Sequence, residues 1–284
     1  MTPFVKTAGG KSKLSAEIAA RVPRFARYFE PFVGGGAAFL AVRDVVLRRA
    51  SESGGTTENI ASLSSWAHLN DANRDLVNVY VQLRHRAPDL ADRLLAIQHS
   101  REFYYMTRAR EPTDPFERAV RYVYLNKTCF NGLHRVNTSG HFNVPMGSYK
   151  NPTIAVRENL LDWQHVLKNV NLSSEDFEQT LSRTGDGDFV YCDPPYLPRS
   201  KTADFTAYTA GSFTLEYHKR LAHALRRASD RGAMILCSQG DSAAIRDLYS
   251  GFRIEEISVH HSIGASSASK HKVAELLLSN YVIT

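Results

Sequence analysis

Asp188-Phe189-Val190-Tyr191-Cys192-Asp193-Pro194-Pro195-Tyr196 joins an apolar run to a corner that neither a helix nor a central strand can contain. The run from Phe189 to Cys192 has no polar alternation, which marks a strand buried on both faces of a sheet. Pro194 and Pro195 lack N–H donors, and each restricts the residue before it, so the chain must leave the strand there. The product is a stiff corner at a sheet's carboxyl edge. Its carbonyls are free to accept, and the Asp193 carboxylate and Tyr196 ring stand beside them. Such a group suits a flat ligand bearing an amino group: acceptors take the N–H bonds while the ring stacks on Tyr196. A purely structural Pro-Pro loop is the alternative.

Leu215 to Arg231 has helical periodicity, Ala233 to Cys237 is a second buried-type strand, and Asp241 to Tyr249 reads as a short helix capped by Asp241. Phe252–Val259 and Val273–Ile283 are two long strands, expected to be antiparallel. Upstream, the β-rich run Arg27–Phe32 leads into Gly34-Gly35-Gly36 and a helix from Ala37, and a short strand at Ala67–Leu69 ends before Asp71. Residues 51–65 are Ser/Thr/Gly-rich, as in a surface loop. Helices are expected at Asp75–Ala87, Asp89–His99 and Asp114–Thr128, the last with an Asp-Pro start. Asn131 to Pro145 is turn-rich and reads as a hairpin or irregular loop. Strand–helix alternation at both ends, with helices and a hairpin between, predicts an α/β fold: one twisted sheet interrupted by an inserted subdomain.

The 284 residues carry 35 Lys+Arg against 29 Asp+Glu, a net charge of +6, with 43% hydrophobic and 23% charged residues. That balance excludes disordered and fibrous classes, and the length suits one large domain or a domain with an insertion. No apolar run approaches the roughly 18 residues of a membrane helix, and the first residues lack the apolar core of a secretory signal. Cys129, Cys192 and Cys237 are widely spaced without a CxxC pair, which points to free thiols in the cytoplasm. The histidines and cysteines show no ligand spacing, so no metal is expected.

Glycines where a strand turns into a helix let a ligand approach the backbone, and the helix start offers unpaired N–H groups. In Glu30-Pro31-Phe32-Val33-Gly34-Gly35-Gly36 a tight structural turn is an equal reading. The dinucleotide pattern fails because Phe39 stands where its third Gly is needed, and Gly9-Gly10-Lys11-Ser12 fails as a phosphate loop because Val5 replaces its first Gly. Asp71 suits either a ribose-gripping acid or a cap for the helix near Asp75.

Glu30–Gly36, Asp193–Tyr196 and the Gly9-Gly10-Lys11 start resemble the three signatures of Dam-type (D12 class) DNA adenine N6-methyltransferases. Asn126-Lys127-Thr128-Cys129-Phe130-Asn131-Gly132-Leu133 and Phe142-Asn143-Val144-Pro145 are similar to that family's DNA-contacting segment. The match runs in order over nearly the whole chain. It implies a Rossmann-like sheet binding S-adenosylmethionine, formed by residues 1–74 and 158–284, with an inserted helical and hairpin target-recognition subdomain at 75–157. It implies transfer of a methyl group to N6 of a flipped adenine in double-stranded DNA, within GATC or a related site, by a protein that is a monomer in solution.

By position, Asp193, Pro194, Pro195 and Tyr196 would hold the target base. Thr7, Lys11, Glu30, Phe32, Gly34, Gly36, Asp71, Asp176 and Asp193 would line the cofactor site, with Asp71 on the ribose hydroxyls and Asp176 on the cofactor's adenine amine. Lys6, Lys127, Asn131, Leu133, Arg135, Asn143, Pro145 and Tyr149 would meet DNA. Thr7 stands where the family usually has an aromatic residue, and Ser148 where many GATC-specific members have Arg. The residues themselves lend separate support to a polyanionic partner. Arg118 to Arg157 holds six basic residues and no acidic one, interleaved with Tyr122, Tyr124, Phe130, Phe142 and Tyr149. At least one of Tyr122 and Tyr124 is expected in the core. Leu197–Ser212, with Arg199 and Lys201, reads as a lid over bound DNA.

Overall fold

The computed structural model describes residues 1–7, 14–53, 65–197, 213–260 and 272–283. Lys11, most of the expected 51–65 loop and nearly all of the expected 197–212 lid lie outside these residues.

Seven strands form one sheet: β1 (Tyr28–Glu30), β2 (Ala67–Asn70), β3 (Val170–Ser173), β4 (Phe189–Cys192), β5 (Met234–Gly240), β6 (Arg253–His260) and β7 (Lys272–Ser279), in the order β3-β2-β1-β4-β5-β7-β6. Strands β1 to β5 are parallel, and β7 runs antiparallel between β5 and β6. The α/β sheet and its antiparallel ending agree with the sequence reading. Alternate residues serve opposite faces, as a period of two requires. Tyr28, Phe189 and Tyr191 join one core with Phe39, Tyr80 and Trp163, while Phe29, Val190 and Cys192 join the other with Leu221 and Ile235. The strand order reverses between β1 and β4, and in open α/β sheets the crevice at that point, outside the carboxyl ends of the strands, is where ligands bind.

Nine α-helices are described: α1 (Ser15–Ala20), α2 (Ala37–Glu52), α3 (Arg74–Leu95), α4 (Arg101–Ala109), α5 (Pro115–Thr128), α6 (Arg157–Leu167), α7 (Phe177–Ser182), α8 (Leu215–Asp230) and α9 (Ala243–Leu248). None is long and apolar enough to cross a membrane. The two helices expected around Pro88 are the arms of α3, which bends at Arg86 (φ −140°, ψ 34°). Placing Pro88 in the first turn after the bend removes the need for its missing donor. The second arm ends at Leu95 instead of His99, because Ser100 caps a new helix, accepting from the Phe103 amide at 3.0 Å. The Asp-Pro start of α5 is as expected, with Asp114 accepting from the Glu117 amide at 2.9 Å. Asp241 does not cap α9. Ser242 does, accepting from the Ile245 amide at 3.3 Å, while Asp241 is held by Arg246 at 2.8 and 3.0 Å.

Asn131 to Pro145 is an irregular hairpin. Val136 and Phe142 form an antiparallel bridge, Asn137 accepts from the Ser139 and His141 amides, and Gly140 takes a left-handed φ of 82° at the turn.

Candidate active site

A cavity of about 900 Å³ opens at the carboxyl ends of β1 and β4. At the end of β1, Glu30 is 2% exposed, and its Oε2 accepts from the Tyr28 hydroxyl at 2.7 Å. Burial pushes this carboxyl well above the usual carboxylate range; the Tyr28 bond opposes the shift, and the charges of Asp193 and Asp71 add to it. The following turn needs its glycines. Gly34 and Gly36 have φ of 50° and 77°, and a Cβ on Gly36 would lie 2.5 Å from Trp163 Cη2 and 2.9 Å from the Tyr80 hydroxyl. Tyr80 donates to the Gly34 carbonyl at 2.9 Å, fixing the turn from below.

Asp71 leaves β2 beside this turn. One of its oxygens accepts from the Gly34 amide at 3.1 Å and the other from the Asn73 amide at 2.9 Å. The cap of α3 is Asn73, which accepts from Asp75 and Leu76, so of the two readings of Asp71 the helix cap is excluded. Burial raises the Asp71 carboxyl, and its two amide donors partly restore it.

The corner after β4 is braced from β5. Ser238 donates to Asp193 Oδ1 at 2.6 Å, and the Tyr191 hydroxyl lies 3.1 Å from Ser238 Oγ. Since Ser238 spends its single proton on Asp193, Tyr191 is the donor to Ser238, giving a relay that orients the carboxylate. Tyr196 packs over Gly240, where a Cβ would come within 3.3 Å of its ring, and its hydroxyl donates to Glu275 Oε2 at 2.9 Å. Burial first, then the Asp193 and Glu275 charges, pushes the Tyr196 phenol far up, so it stays a protonated donor.

The opposite wall is aromatic. Phe32, Phe177 and Phe213 meet with ring centroids 5.6–5.9 Å apart, and Tyr217 stands beside Phe213. Asp176 caps α7, accepting from the Glu178 amide at 2.9 Å, and its other oxygen accepts from Arg220 at 3.0 Å. Buried Asn70 ties the walls together by donating to the carbonyls of Pro31 and Glu175 and accepting from the Glu175 amide and Ser173.

Thr7, Glu30, Phe32, Gly34, Asp71, Asp176, Asp193, Pro194, Pro195 and Tyr196 therefore line one cavity, with Gly36 in the turn behind it. Phe177, Phe213, Ser238, Glu275 and Asn70 are not legible in the sequence as site residues: their partners lie on other strands and helices, and no local spacing marks them.

The polar hairpin set divides in two. The Lys6 ammonium sits 3.8 Å over the Tyr149 ring and donates to the Lys127 carbonyl at 2.9 Å, and burial and the Lys6 charge lower Lys127. A Cβ on Gly132 would fall 2.5 Å from the Lys6 Cβ, while Asn131 takes a left-handed φ of 53° and is exposed with Leu133 and Pro145. Further along, Arg135 donates from Nε to Asn143 Oδ1 at 2.7 Å and from Nη2 to the Asn143 carbonyl at 3.5 Å, and the residue is exposed. Tyr124 is 0% exposed and hydrogen-bonded to His99, so it belongs to the core and cannot wedge into a duplex. His134, which no sequence pattern singles out, stacks on Tyr122 and reaches the cavity. Among the described residues no cluster of three metal-ligating side chains occurs.

Residues 8–263 match the family model of D12 class N6 adenine-specific DNA methyltransferases. The chain is 34% identical over 292 residues to Type II methyltransferase M1.LlaDCHI of Lactococcus lactis subsp. cremoris, covering 99% of this chain and 96% of that protein. It is 33% identical over 302 residues to Type II methyltransferase M.MjaIII of Methanocaldococcus jannaschii, covering 98% and 99%. It is 35% identical over 280 residues to the DNA adenine methylase of Escherichia coli K12, covering 96% and 93%.

Proposed function

Because the chain belongs to the D12 class of N6 adenine-specific DNA methyltransferases, we propose that the cavity at the β1–β4 switch holds S-adenosylmethionine beside a flipped adenine. One observation carries this reading: the glycine turn after β1 and the Asp193–Tyr196 corner after β4 open into the same cavity. The residues present fit such a donor. Phe32, Phe177 and Phe213 offer aromatic faces, with the Asp176 carboxylate beside them for an adenine amine. Asp71 offers acceptors for ribose hydroxyls. Glu30 is a buried carboxyl that resists ionisation alone, and a neighbouring cationic amine or sulfonium would stabilise its charged form. Thr7 and Gly34 complete the methionine end with the Gly36 turn behind them, and the family resemblance assigns Lys11 to the same end.

S-adenosylmethionine, when bound, supplies a methyl group on a sulfonium that carries its own leaving group. An exocyclic adenine amine is a poor nucleophile because its lone pair is delocalised into the ring. Asp193, held by Ser238, accepts one N6 hydrogen and the Pro194 carbonyl accepts the other. The two acceptors draw the nitrogen toward a tetrahedral geometry and aim its lone pair at the methyl carbon. In the transfer the bound donor would supply, the Asp193 carboxylate would offset the positive charge growing on N6 and is placed to take the proton that N6 must lose. Positioning and charge placement do most of this work. Pro195 stiffens the corner, and Tyr196 offers the face on which the extruded base stacks.

Residues 75–157 serve as the target-recognition subdomain. Lys6, Lys127, Asn131, Leu133, Asn143, Pro145 and Tyr149 meet the duplex, and Arg135 reads a guanine edge with its outer fork. The target is GATC or a related site, and the enzyme acts as a monomer. Transfer from labelled S-adenosylmethionine is expected to duplex DNA and not to RNA or peptide. Asp193→Ala is expected to abolish transfer while calorimetric donor binding persists; full activity in that variant would mean that Asp193 does not hold the target amine.

A further inference from the structure

Glu275 is a carboxylate, 1% exposed, in the apolar run Ala274-Glu275-Leu276-Leu277-Leu278 of β7. Nothing in a sheet core calls for a carboxylate there, and desolvating one is costly unless a specific partner offsets the loss. The hydroxyl of Tyr196, at 2.9 Å, is such a partner. Gly240 lies directly across the β5–β7 ladder from Glu275, and the missing Cβ at Gly240 is the space the Tyr196 ring fills. Two residues earlier on β5, on the same face, Ser238 holds Asp193. Alternate positions of one strand thus seat the first and last residues of the Asp193–Tyr196 corner, and Glu275 supplies the far anchor.

We propose that Glu275 is a positioning residue that sets the angle of the base platform by tethering the Tyr196 hydroxyl. A phenylalanine ring would stack on a purine equally well but could swing about its Cα–Cβ bond; the tether removes that freedom. In this role Glu275 acts through Tyr196, and it does not itself line the cavity. The inference rests on the role proposed above for Tyr196.

Methyl transfer to unmethylated genomic DNA tests it through a double-mutant cycle. Glu275→Leu, close in volume and unable to accept, is expected to lower kcat by roughly 10- to 100-fold, the scale of an ångström-level misplacement, with the KM for S-adenosylmethionine within about twofold. Glu275→Gln keeps an acceptor and is expected to hold kcat within about threefold. Tyr196→Phe/Glu275→Leu should be no slower than the worse single variant, since both lesions cut the same tether. Wild-type kcat in Glu275→Leu would overturn the proposal, as would single-variant losses that multiply in the double variant. If Glu275→Leu does not fold, a Glu275→Gln enzyme as slow as Tyr196→Phe would also overturn it. No transfer by the wild type to any DNA would instead overturn the underlying reading together with this one.

Discussion

Three left-handed glycines differ in what surrounds the missing Cβ, and that difference supports a quantitative prediction. Gly36 (φ 77°) has the Trp163 ring at 2.5 Å and the Tyr80 hydroxyl at 2.9 Å from a built Cβ; Gly140 (φ 82°), in the hairpin turn, has nothing within 4 Å. An alanine at either site carries the left-handed strain of about 1–2 kcal/mol. Only Gly36→Ala adds overpacking against a fully buried indole, about 1–3 kcal/mol more, for a total near 2–5 kcal/mol. At roughly 2–4 °C per kcal/mol for a chain approaching this size, Gly36→Ala should lower Tm by about 4–20 °C and Gly140→Ala by about 2–8 °C. Gly34→Ala, whose Cβ meets the Thr7 methyl at 3.2 Å, should fall between them. Scanning calorimetry on the three variants gives the order directly. Calorimetric titration should show weakened S-adenosylmethionine binding for Gly36→Ala and Gly34→Ala and none of that effect for Gly140→Ala. Equal Tm losses at Gly36 and Gly140 would refute the steric part of the reasoning.

Ser238→Ala removes the hydroxyl that orients Asp193, a hydrogen bond to a charged group worth about 1.5–3 kcal/mol; stopped-time assays should show kcat down by roughly 10- to 100-fold with donor affinity unchanged. Glu30 has a folded-state pKa raised above its unfolded value, so the folded protein binds the extra proton and stability falls as pH rises from about 4.3 toward the raised value. Glu30→Gln should therefore match the wild type near pH 4 and exceed its Tm as pH rises above that range, while binding S-adenosylmethionine more weakly; a Tm difference that does not grow with pH would count against a buried, charge-resisting Glu30. Arg135→Ala should weaken DNA binding and cost about 1–3 kcal/mol of base discrimination at one position, seen by comparing methylation across substituted duplexes, with donor affinity intact.

The parts of the site that lie next to each other in sequence are legible there. Pro194 and Pro195 cannot continue a strand, three glycines cannot hold a helix start without a reason, and Asp114-Pro115 announces α5. What stays hidden depends on partners distant along the chain. The Ser238–Asp193 and Glu275–Tyr196 bonds cross 45 and 79 residues, and a glutamate in a strand ordinarily faces solvent. β3 and α7, of four and six residues, are too short to show a clean period, whereas Leu160, Trp163 and Leu167 do give α6 a helical spacing. Asp241 reads wrongly as a cap because Asp and Ser are equally good caps and stand side by side; Arg246, within reach of Asp241 and Glu256, decides between them. β5 outruns its apolar stretch because pairing with β7 supports Ser238, Gln239 and Gly240.

On the role proposed for the corner after β4, a flipped adenine is clasped there with its N6 facing a methyl donor. Expressing the wild type and Asp193→Ala, which removes the acceptor, in a methylation-deficient bacterial host and sequencing the DNA for modified adenine tests it most directly. N6-methyladenine is expected at one recurrent short sequence with the wild type and none with the variant. Unmodified DNA from a folded, donor-binding wild type, or equal modification by both proteins, would contradict it.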